Sequence, residues 1–444
     1  MIASVIGKTL LAEYNRRKGT KYSAGEFFEN VFHPVFYDHE RYLQYVGNSA
    51  YVQGLKKGSP YNKTDRLSRL NTLKQKIHSG IAPDASFAIG FAATGAEGTT
   101  SGQVTNLSIP ASPEDVYASW IGGGLGIGIQ GGFSIYFNHP QILWKIYEGW
   151  QLYRSFLTER ENLRPNQIDT WNGQWFSYAC SDEFDEDFPE VEMANRTSAT
   201  KDGDLEFKTQ QWTEVLFGVA NKFKTQQITG YVFSLGQMNT TIGFVPFALP
   251  ELVRPLQFYR EFFGENEFLD NKKIIQKMYG TAHSFRSACR KGAIGVPALE
   301  PRDLVQYMSS ARGQAKKPDF AKADQEKRIS FNVYQSWLMA MLNNKDLWQK
   351  ATDAATAYLE YVAGSKKVST QRENAIEKVL NATSKRMFIE ASTVLVQDSN
   401  TSAQSISDLV EEVNALPEDN FRYFQTLIKF RYAFLKSQRQ GENQ

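Results

Sequence analysis

The side chains of this sequence that most clearly point to a chemistry are the Lys and Arg residues of two basic runs. Residues 271–328 include thirteen Lys or Arg against five Asp or Glu, an excess of eight positive charges. The run from Lys56 to Lys76 has seven positive residues against one acid, whereas the net charge of the whole chain is only +2. Because a phosphate backbone is attracted by concentrated positive charge, the two runs together favour nucleic-acid binding. A solvated surface is the alternative for either run alone.

The candidate contact residues of the two runs lie in different settings. In the first run, flexible residues alternate with donors and a tyrosine before Lys63, which suits backbone contact and base stacking. Arg66 and Arg69 are three residues apart and so share a helix face. The first set is Lys56, Lys57, Asn62, Lys63, Arg66 and Arg69. The second set, on predicted helices and a loop with Gly and Pro, is Lys272, Lys273, Arg286, Arg290, Lys291, Arg312, Lys316 and Lys317.

A glycine-rich segment, residues 121–137, contains the pattern G-x-G-x-x-G. In nucleotide-binding folds such glycines let backbone amides approach a phosphate where a helix begins. Here residues 132–137 predict a strand after the glycines, which disfavours a Rossmann unit. The pattern favours a turn where chain segments approach closely. The alternative is a loop lying against a nucleic-acid backbone, with contacts from Gly124, Gly126, Gly128 and Gln130.

A predicted hairpin supplies a further candidate site. Residues 228–235 and 241–247 have strand character and flank a turn that begins at Gly236. The amides and hydroxyl of the tip are suited to reading base edges in a groove. Turn chemistry alone also explains Asn239 and is the favoured interpretation. The candidate residues of the tip are Gln237, Asn239 and Thr240.

Signals for catalysis are weak. One compact group of possible metal ligands includes His33, Asp38 and His39, and a metal-dependent hydrolase or nuclease using these three is the alternative function. A polar turn before the next helix explains the group at least as well. Basic neighbours of Cys289 favour a thiolate, but no Cys–His pattern supports a nucleophile. We therefore expect a protein that is not an enzyme, with no catalytic residue, metal or cofactor.

Composition indicates a globular protein. The 444 residues predict two or three domains, and a hydrophobic content of 41% is enough for their cores. The two cysteines, Cys180 and Cys289, are far apart in sequence, so a reducing compartment, the cytoplasm, is expected. Residues 1–11 predict the start of an amphipathic helix and not a signal peptide. No apolar stretch approaches the roughly 20 residues of a membrane span, so no membrane partner is expected.

The elements that must position the candidate residues change along the chain. Strands are predicted at residues 85–91 and 168–180, besides the hairpin. Helices are predicted in the first 270 residues at 2–17, 23–32, 66–78, 142–157 and 251–263. Helices that follow residue 328 are predicted at 328–344, 346–363, 369–381, 384–397, 404–415 and 418–437. The predicted class is α+β, a mixed α/β N-terminal region with glycine-rich loops and a hairpin followed by an α-helical bundle.

This pattern divides the chain into three predicted parts. They are an α+β nucleic-acid-contacting domain at 1–270, a basic connecting segment at 271–328 and a C-terminal helical bundle at 329–444. If the chain binds nucleic acid, cations from its separate runs are expected to converge into one continuous track. A scaffold whose basic surfaces meet acidic proteins is a third interpretation of the same charges.

The layout resembles the large subunit of a type I CRISPR surveillance complex, a Cascade-type assembly of antiviral defence. The segments MIASVIGKTLLAEYN, DTWNGQW and SLGQMNTTIGF carry the resemblance. The chain lacks the zinc-binding cysteines that many members of that group carry. The resemblance implies a non-catalytic subunit at the 5′ end of a guide RNA, which recognises the motif beside the target in double-stranded DNA and helps to open the strands. It also implies other subunits of the complex and a helicase-nuclease as partners.

The resemblance also assigns roles to the candidate residues. The glycine segment from Gly122 to Gly132 and the hairpin tip from Gln237 to Thr241 are then candidates for groove insertion. The basic middle and the helical tail line the path of the separated strands. The candidates for contact with duplex phosphates are Lys56, Lys57, Lys63, Arg66 and Arg69.

Overall fold

The chain folds into two compact units, Met1–Leu249 and Pro250–Gln444. The computed structural model describes residues 1–46, 49, 51, 62–91, 110–223, 227–234, 241–310, 315–364, 369–398 and 403–442. Within these ranges the first unit combines helices with two antiparallel sheets, and the second unit is helical. The predicted α+β class with a helical C-terminal region is thereby confirmed. The predicted three-part division at residues 270 and 328 stays a prediction.

The first unit opens with helices whose ends are encoded locally. Its first helix ends at Gly19, which has a left-handed φ of 66°. Ser23 and Glu26 form a capping box at the start of the second helix. A π-helical turn at Phe28–Phe32 continues the helical run that starts at Ala24. The α-helices of the unit are α1 (Ile2–Lys18), α2 (Ala24–Phe27), α3 (His33–Phe36), α4 (Lys63–Ile77), α5 (Pro113–Gly123), α6 (Pro140–Glu159), α7 (Ile168–Ala179), α8 (Pro189–Asn195) and α9 (Trp212–Lys222).

The main sheet of the first unit has strand order β1-β2-β5-β6, each neighbouring pair antiparallel. Its strands are β1 (Ile127–Ile129), β2 (Phe133–Phe137), β5 (Ile228–Ser234) and β6 (Gly243–Phe247). A separate ribbon pairs β3 (Thr197–Ala199) with β4 (Leu205–Phe207). The register sets Ile135 opposite Val232 and Gly230 opposite Val245. The strand predicted after the glycines and the two predicted hairpin strands are confirmed.

Two predicted strands are wrong. Within residues 168–180 the chain forms α7, because the apolar residues recur every three or four positions. Nine of the twelve helical residues are buried, Trp171 and Trp175 among them. Aromatic residues also have high strand propensity, so the local sequence alone is ambiguous between strand and helix. Residues 85–91 form turns, in which the Asp84 carbonyl oxygen accepts the amide of Phe87 at 3.1 Å and Gly90 has a φ of 76°.

The packing of α1 against α5 depends on two glycines. A Cβ added to Gly7 would lie 1.9 Å from the carbonyl oxygen of Ala118, and one added to Gly122 would lie 1.9 Å from that of Ala3. The two backbones therefore touch directly at these positions. A close backbone approach of this kind explains why both positions are glycine.

The second unit is built around its last helix. α10 begins at Leu249, at the unit boundary, and the helices are α10 (Leu249–Phe263), α11 (Glu265–Met278), α12 (Phe285–Cys289), α13 (Gln325–Leu342), α14 (Asp346–Ala363), α15 (Ser369–Leu380), α16 (Lys385–Asp398), α17 (Ala403–Ala415) and α18 (Glu418–Glu442). Short 3-10 turns lie at Val296–Leu299 and Arg302–Tyr307. α18 packs against α13 and α14 and buries Phe424, Leu427 and Ile428. The six helices predicted beyond residue 328 are confirmed to within a few residues. No helix in the described ranges is both long and apolar enough to cross a bilayer.

Candidate nucleic-acid interface

The basic region of the second unit contains a segment, residues 279–302, that folds back on itself. The backbone amide of Gly280 donates to the carbonyl oxygen of Leu299 at 2.9 Å. The amide of Ala282 donates to the carbonyl oxygen of Glu300 at 3.1 Å. Because these bonds hold the two ends of the segment side by side, charged residues from both ends lie close together.

Arg302 is fixed at one end of this segment. Its backbone amide donates to the hydroxyl of Thr281 at 2.9 Å, and its Nε donates to the carbonyl oxygen of the same residue at 3.3 Å. The side chain is exposed. A guanidinium has five N–H donors, so these bonds leave donors that face solvent.

The short helix α12 presents Arg286 on its outer face. Ser284 caps it, accepting the amide of Ser287 at 3.3 Å. Phe285 is buried and anchors the helix, whereas Arg286 is exposed. Arg290 and Lys291 directly follow α12, and both are exposed.

Glu300 is the one carboxylate within residues 279–302. Its Oε2 lies 3.3 Å from Nε2 of His283. The ammonium of Lys291 donates to the same ring nitrogen at 2.6 Å. Glu300 therefore contacts His283, and the four Lys and Arg side chains of the segment outnumber this one acid. We call the group His283, Arg286, Arg290, Lys291 and Arg302 the cationic loop.

The remaining candidates of the second run lie outside the cationic loop. Lys272 and Lys273 are on α11, and the second of them is exposed. The backbone amide of Lys316 donates to the carbonyl oxygen of Gln306 at 2.7 Å, which holds this exposed lysine beside the 3-10 turn that begins at Arg302. Lys317 forms an ion pair with Glu377 of α15. Arg312 lies outside the described residues.

Most of the described cations of the first basic run form contacts with other side chains of the first unit. Arg66 is 5% exposed, and its guanidinium lies 4.5 Å from the ring centre of Tyr42. Arg69 forms an ion pair of 2.9 Å with Asp65. Lys63 is exposed at the start of α4. The arginines of this run therefore stabilise the fold, and Arg66 is too deeply buried to contact a duplex.

The helix cap and the other lysines of this run add few free cations. Lys76 donates to the hydroxyl of Ser86 at 2.7 Å. Asn62 caps α4, accepting the amides of Thr64 and Asp65 at 3.0 and 3.2 Å, so turn chemistry accounts for it. Lys74 forms an ion pair of 2.7 Å with Glu29. Lys56 and Lys57 lie outside the described residues.

The glycine segment is buried against α7. A Cβ on Gly126 would lie 2.3 Å from Oδ1 of Asp169, and one on Gly128 would lie 2.7 Å from the carbonyl carbon of the same residue. The side-chain amide of Asn172 donates to the carbonyl oxygens of Gly124 and Gly126, each at 2.8 Å. These three glycines therefore permit close packing of chain segments, which was the favoured interpretation, and their burial leaves no surface for a nucleic acid.

Gln130 is the exposed member of this glycine group. Its backbone amide donates to the carbonyl oxygen of Gln210 at 2.8 Å. The hairpin tip with Gln237, Asn239 and Thr240 lies outside the described residues, so its assigned role stays a prediction.

Asp169, which packs on the glycines, is a carboxyl group with a perturbed pKa. Burial raises its pKa to about 6, while a hydrogen bond of 2.9 Å from the Ser134 hydroxyl opposes the shift. No histidine or cysteine is among its described contacts. The carboxyl serves to join α7 to β2.

The two histidines of the alternative hydrolase site, His33 and His39, form hydrogen bonds within the fold. His33 is 6% exposed, and its Nε2 lies 3.0 Å from the hydroxyl of Tyr51. Burial lowers its pKa to about 4. Nδ1 of His39 accepts the backbone amide of Arg41 at 3.0 Å. Over the described ranges, no three His, Cys, Asp or Glu side chains come together as metal ligands. The alternative has no assembled site there.

The basic neighbours of Cys289 in the sequence do not lower the pKa of its thiol. Burial raises the pKa of its thiol to about 11, so the neutral thiol dominates at neutral pH despite the basic neighbours in sequence. Sequence reasoning also missed two members of the cationic loop, Arg302 and His283. Arg302 had a signal, since it belongs to the same excess of positive charge, whereas His283 stands alone in the sequence.

Comparison of the chain with protein-family models, with curated proteins and with solved structures gives no match. The geometry of the two units is therefore the basis for assigning a function.

Proposed function

We propose that the chain is a non-catalytic, nucleic-acid-contacting subunit of an RNA-guided DNA-targeting complex, in the role of its large subunit. The observation that supports the proposal is the cationic loop. Arg286, Arg290, Lys291 and Arg302 are all exposed there, on a segment with one carboxylate of its own. A second carboxylate, that of Glu251, accepts the amide of Val296 in the same segment at 3.3 Å. Guanidinium groups bind phosphate oxygens through paired hydrogen bonds, so three arginines on one segment suit a phosphate backbone.

The contact made by the cationic loop is independent of base sequence. Arginines that meet phosphates fix the position of a duplex but do not distinguish bases. In the proposed complex, pairing with the guide RNA reads the target, and this subunit supplies backbone contacts and recognition of the adjacent motif. Lys316, whose backbone amide bonds to Gln306 of the 3-10 turn that begins at Arg302, extends the surface. Lys56, Lys57, Lys63 and the hairpin tip remain candidates for contacts from the first unit.

A binding measurement with a matched control tests the cationic loop. We expect the double variant Arg286→Ala/Arg290→Ala to bind a fluorescent 30-base-pair duplex about tenfold more weakly than wild type in 0.1 M salt, because two phosphate contacts are lost. The slope of log K against log salt concentration falls in magnitude by about 2 in the same variant. Fluorescence anisotropy over a salt series measures both quantities.

The control removes the same charge from another surface of the second unit. Lys378 of α15 and Arg386 of α16 are exposed and lie outside the cationic loop. The variant Lys378→Ala/Arg386→Ala keeps the wild-type salt slope if the loop is the interface. Equal losses in both double variants would mean that overall charge, and not this loop, attracts the duplex. A wild-type chain whose binding to an acidic peptide exceeds its binding to the duplex would favour the scaffold interpretation.

A further inference from the structure

A cavity of about 370 Å³ lies in the second unit beside α18. Its walls come from residues 317–321, from α15 and from α18. The volume falls within the range of small-molecule sites, about 300–1,000 Å³. Apolar side chains form part of the lining: Phe320, Leu380, Tyr432 and Ala433.

Lys429 of α18 places a buried charge at this cavity. The residue is 4% exposed, and it lines the cavity together with Asn381. Its ammonium donates to the carbonyl oxygen of Tyr307 at 3.1 Å, to Oγ of Ser309 at 3.3 Å and to Oδ1 of Asn381 at 3.1 Å. All three acceptors are neutral oxygens. In the parts of the chain that the structure describes, Lys429 has no carboxylate within ion-pair distance.

The other charged groups of the lining already have partners of opposite charge. Lys317 pairs with Glu377, and Lys436 pairs with Glu373 at 2.8 Å. Asp319 lies 3.8 Å from the ammonium of Lys322. Tyr432 stays neutral, since burial raises the pKa of its phenol to about 12. Among the charged side chains that line the cavity, Lys429 is therefore the one whose described partners are all neutral.

The pKa of Lys429 agrees with this geometry. Burial lowers it to about 8, because the ammonium loses hydration that neutral oxygens replace only in part. An anion that reached this group would restore the missing charge partner, and charge-assisted hydrogen bonds are roughly twice as strong as neutral ones.

We propose that this cavity binds a small monocarboxylate with an apolar body, whose carboxylate bonds to the ammonium of Lys429. The carboxylate takes the place of Asn381, which is the one of the three acceptors that lines the cavity. The apolar body is buried against Phe320 and Tyr432. A dianionic phosphate is disfavoured, because three carboxylates line the same cavity: Asp319, Glu373 and Glu377.

Binding of benzoate to the full-length protein tests the proposal. We expect one benzoate per chain by calorimetry, and at least tenfold weaker binding of benzyl alcohol, which has the same ring without the charge. At pH 8 to 9, benzoate binding takes up a proton, because the carboxylate raises the pKa of Lys429. Comparing buffers with different ionisation enthalpies measures this uptake. Absence of benzoate binding, or equal binding of benzyl alcohol, would overturn the proposal.

Two variants locate the benzoate site. Lys429→Met removes the charge, and Ala433→Phe fills the cavity while it keeps the lysine; each is expected to weaken benzoate binding at least tenfold and to abolish proton uptake. Lys378→Met, on the exposed side of α15, is the control and binds benzoate as wild type does. If Lys429→Met fails to fold, benzoate binding by Ala433→Phe and proton uptake by the wild-type protein decide whether benzoate occupies the cavity. Benzoate binding that survives the filled cavity contradicts the proposal. The inference does not depend on the nucleic-acid role.

Discussion

At the scale of single residues, burial sets the ionisation of His33. The imidazole packs beside Tyr51 at 3.0 Å, and its pKa falls to about 4 from the ordinary 6.5. The unfolded chain therefore binds more protons between these two values. The stability that comes from keeping His33 neutral is fully present above pH 6.5 and is lost as the pH falls towards 4.

This shift predicts a measurable pH effect. At pH 5 the loss relative to pH 7 is about 2 kcal/mol for this group. His33→Gln does not titrate and keeps a polar partner for Tyr51, so its free energy of unfolding should fall by about 2 kcal/mol less than that of wild type between pH 7 and pH 5. Urea titrations at both pH values measure the difference. The exposed His78→Gln variant serves as control, and an equal change in both variants would refute the assignment.

The residue scale is also where sequence interpretation is least informative. Spacing correctly indicated that Arg66 and Arg69 share a helix face, but it did not reveal that the face of Arg66 is buried under Tyr42. Within the cationic loop, His283 and Arg302 come from opposite ends of residues 279–302, which are held side by side by backbone bonds that no local pattern encodes. Arg286, Arg290 and Lys291 lie between these two ends. Residue types therefore limit the chemistry, and only the fold decides which side chains reach solvent.

At the scale of elements, the close backbone contact between α1 and α5 can be tested with a single substitution. Alanine at Gly7 would place its Cβ 1.9 Å from a backbone carbonyl oxygen of α5, so the helices would have to separate. We expect Gly7→Ala to lower the free energy of unfolding by about 3 kcal/mol, at the upper end of ordinary overpacking. Chemical denaturation measures this loss.

The control for Gly7 is another helical glycine with open space around it. An added Cβ at Gly441 of α18 meets no atom within 4 Å. Because alanine has the higher helix propensity, Gly441→Ala should be neutral or stabilising by less than about 1 kcal/mol. A loss at Gly7 no larger than the change at Gly441 would mean that the two helices are not in backbone contact.

The long amphipathic helices beyond residue 328 were predictable, whereas α7 and the turns at 85–91 were not. The helices beyond residue 328 each show an apolar stripe, and Pro417 marks the start of α18. α7 was missed because its aromatic residues also have high strand propensity, and packing against the glycine segment decides in favour of a helix. The turns at 85–91 depend on Asp84 and on the positive φ of Gly90, which compete with strand pairing.

At the scale of the whole molecule, charge is distributed unevenly between surfaces. A groove of the second unit between α14 and α17, with a volume of about 780 Å³, is lined by five carboxylates and one lysine. Such a surface repels a polyanion, so nucleic acid is expected at the cationic loop and not in this groove. The sequence gives the sum of these charges, +2, but not their separation in space. The continuous track expected from both basic runs stays a prediction.

The size of the cationic loop limits what the chain does alone. If its four Lys and Arg side chains each neutralise one phosphate, the salt slope is only about −4, and affinity for duplex DNA is modest. Stable attachment to nucleic acid then requires other subunits or a bound guide. We expect the tagged chain, isolated from the cells that encode it, to elute well above its 50.4 kDa mass, together with RNA and further proteins.

The same isolation tests two hypotheses separately: that the chain belongs to a complex, and that the cationic loop contacts the duplex. Nuclease treatment should release the RNA and reduce the particle mass, and sequencing of that RNA should give guides with a common 5′ end. Arg286→Ala/Arg290→Ala should weaken capture of target duplex by the particle, because the loop supplies phosphate contacts beyond those of the guide pairing. Elution of the wild-type chain at its own mass, without RNA, would refute the role as a complex subunit. That outcome would leave the expected salt-dependent duplex binding of the purified chain open to its own test, since the anisotropy measurement addresses the cationic loop and not the complex.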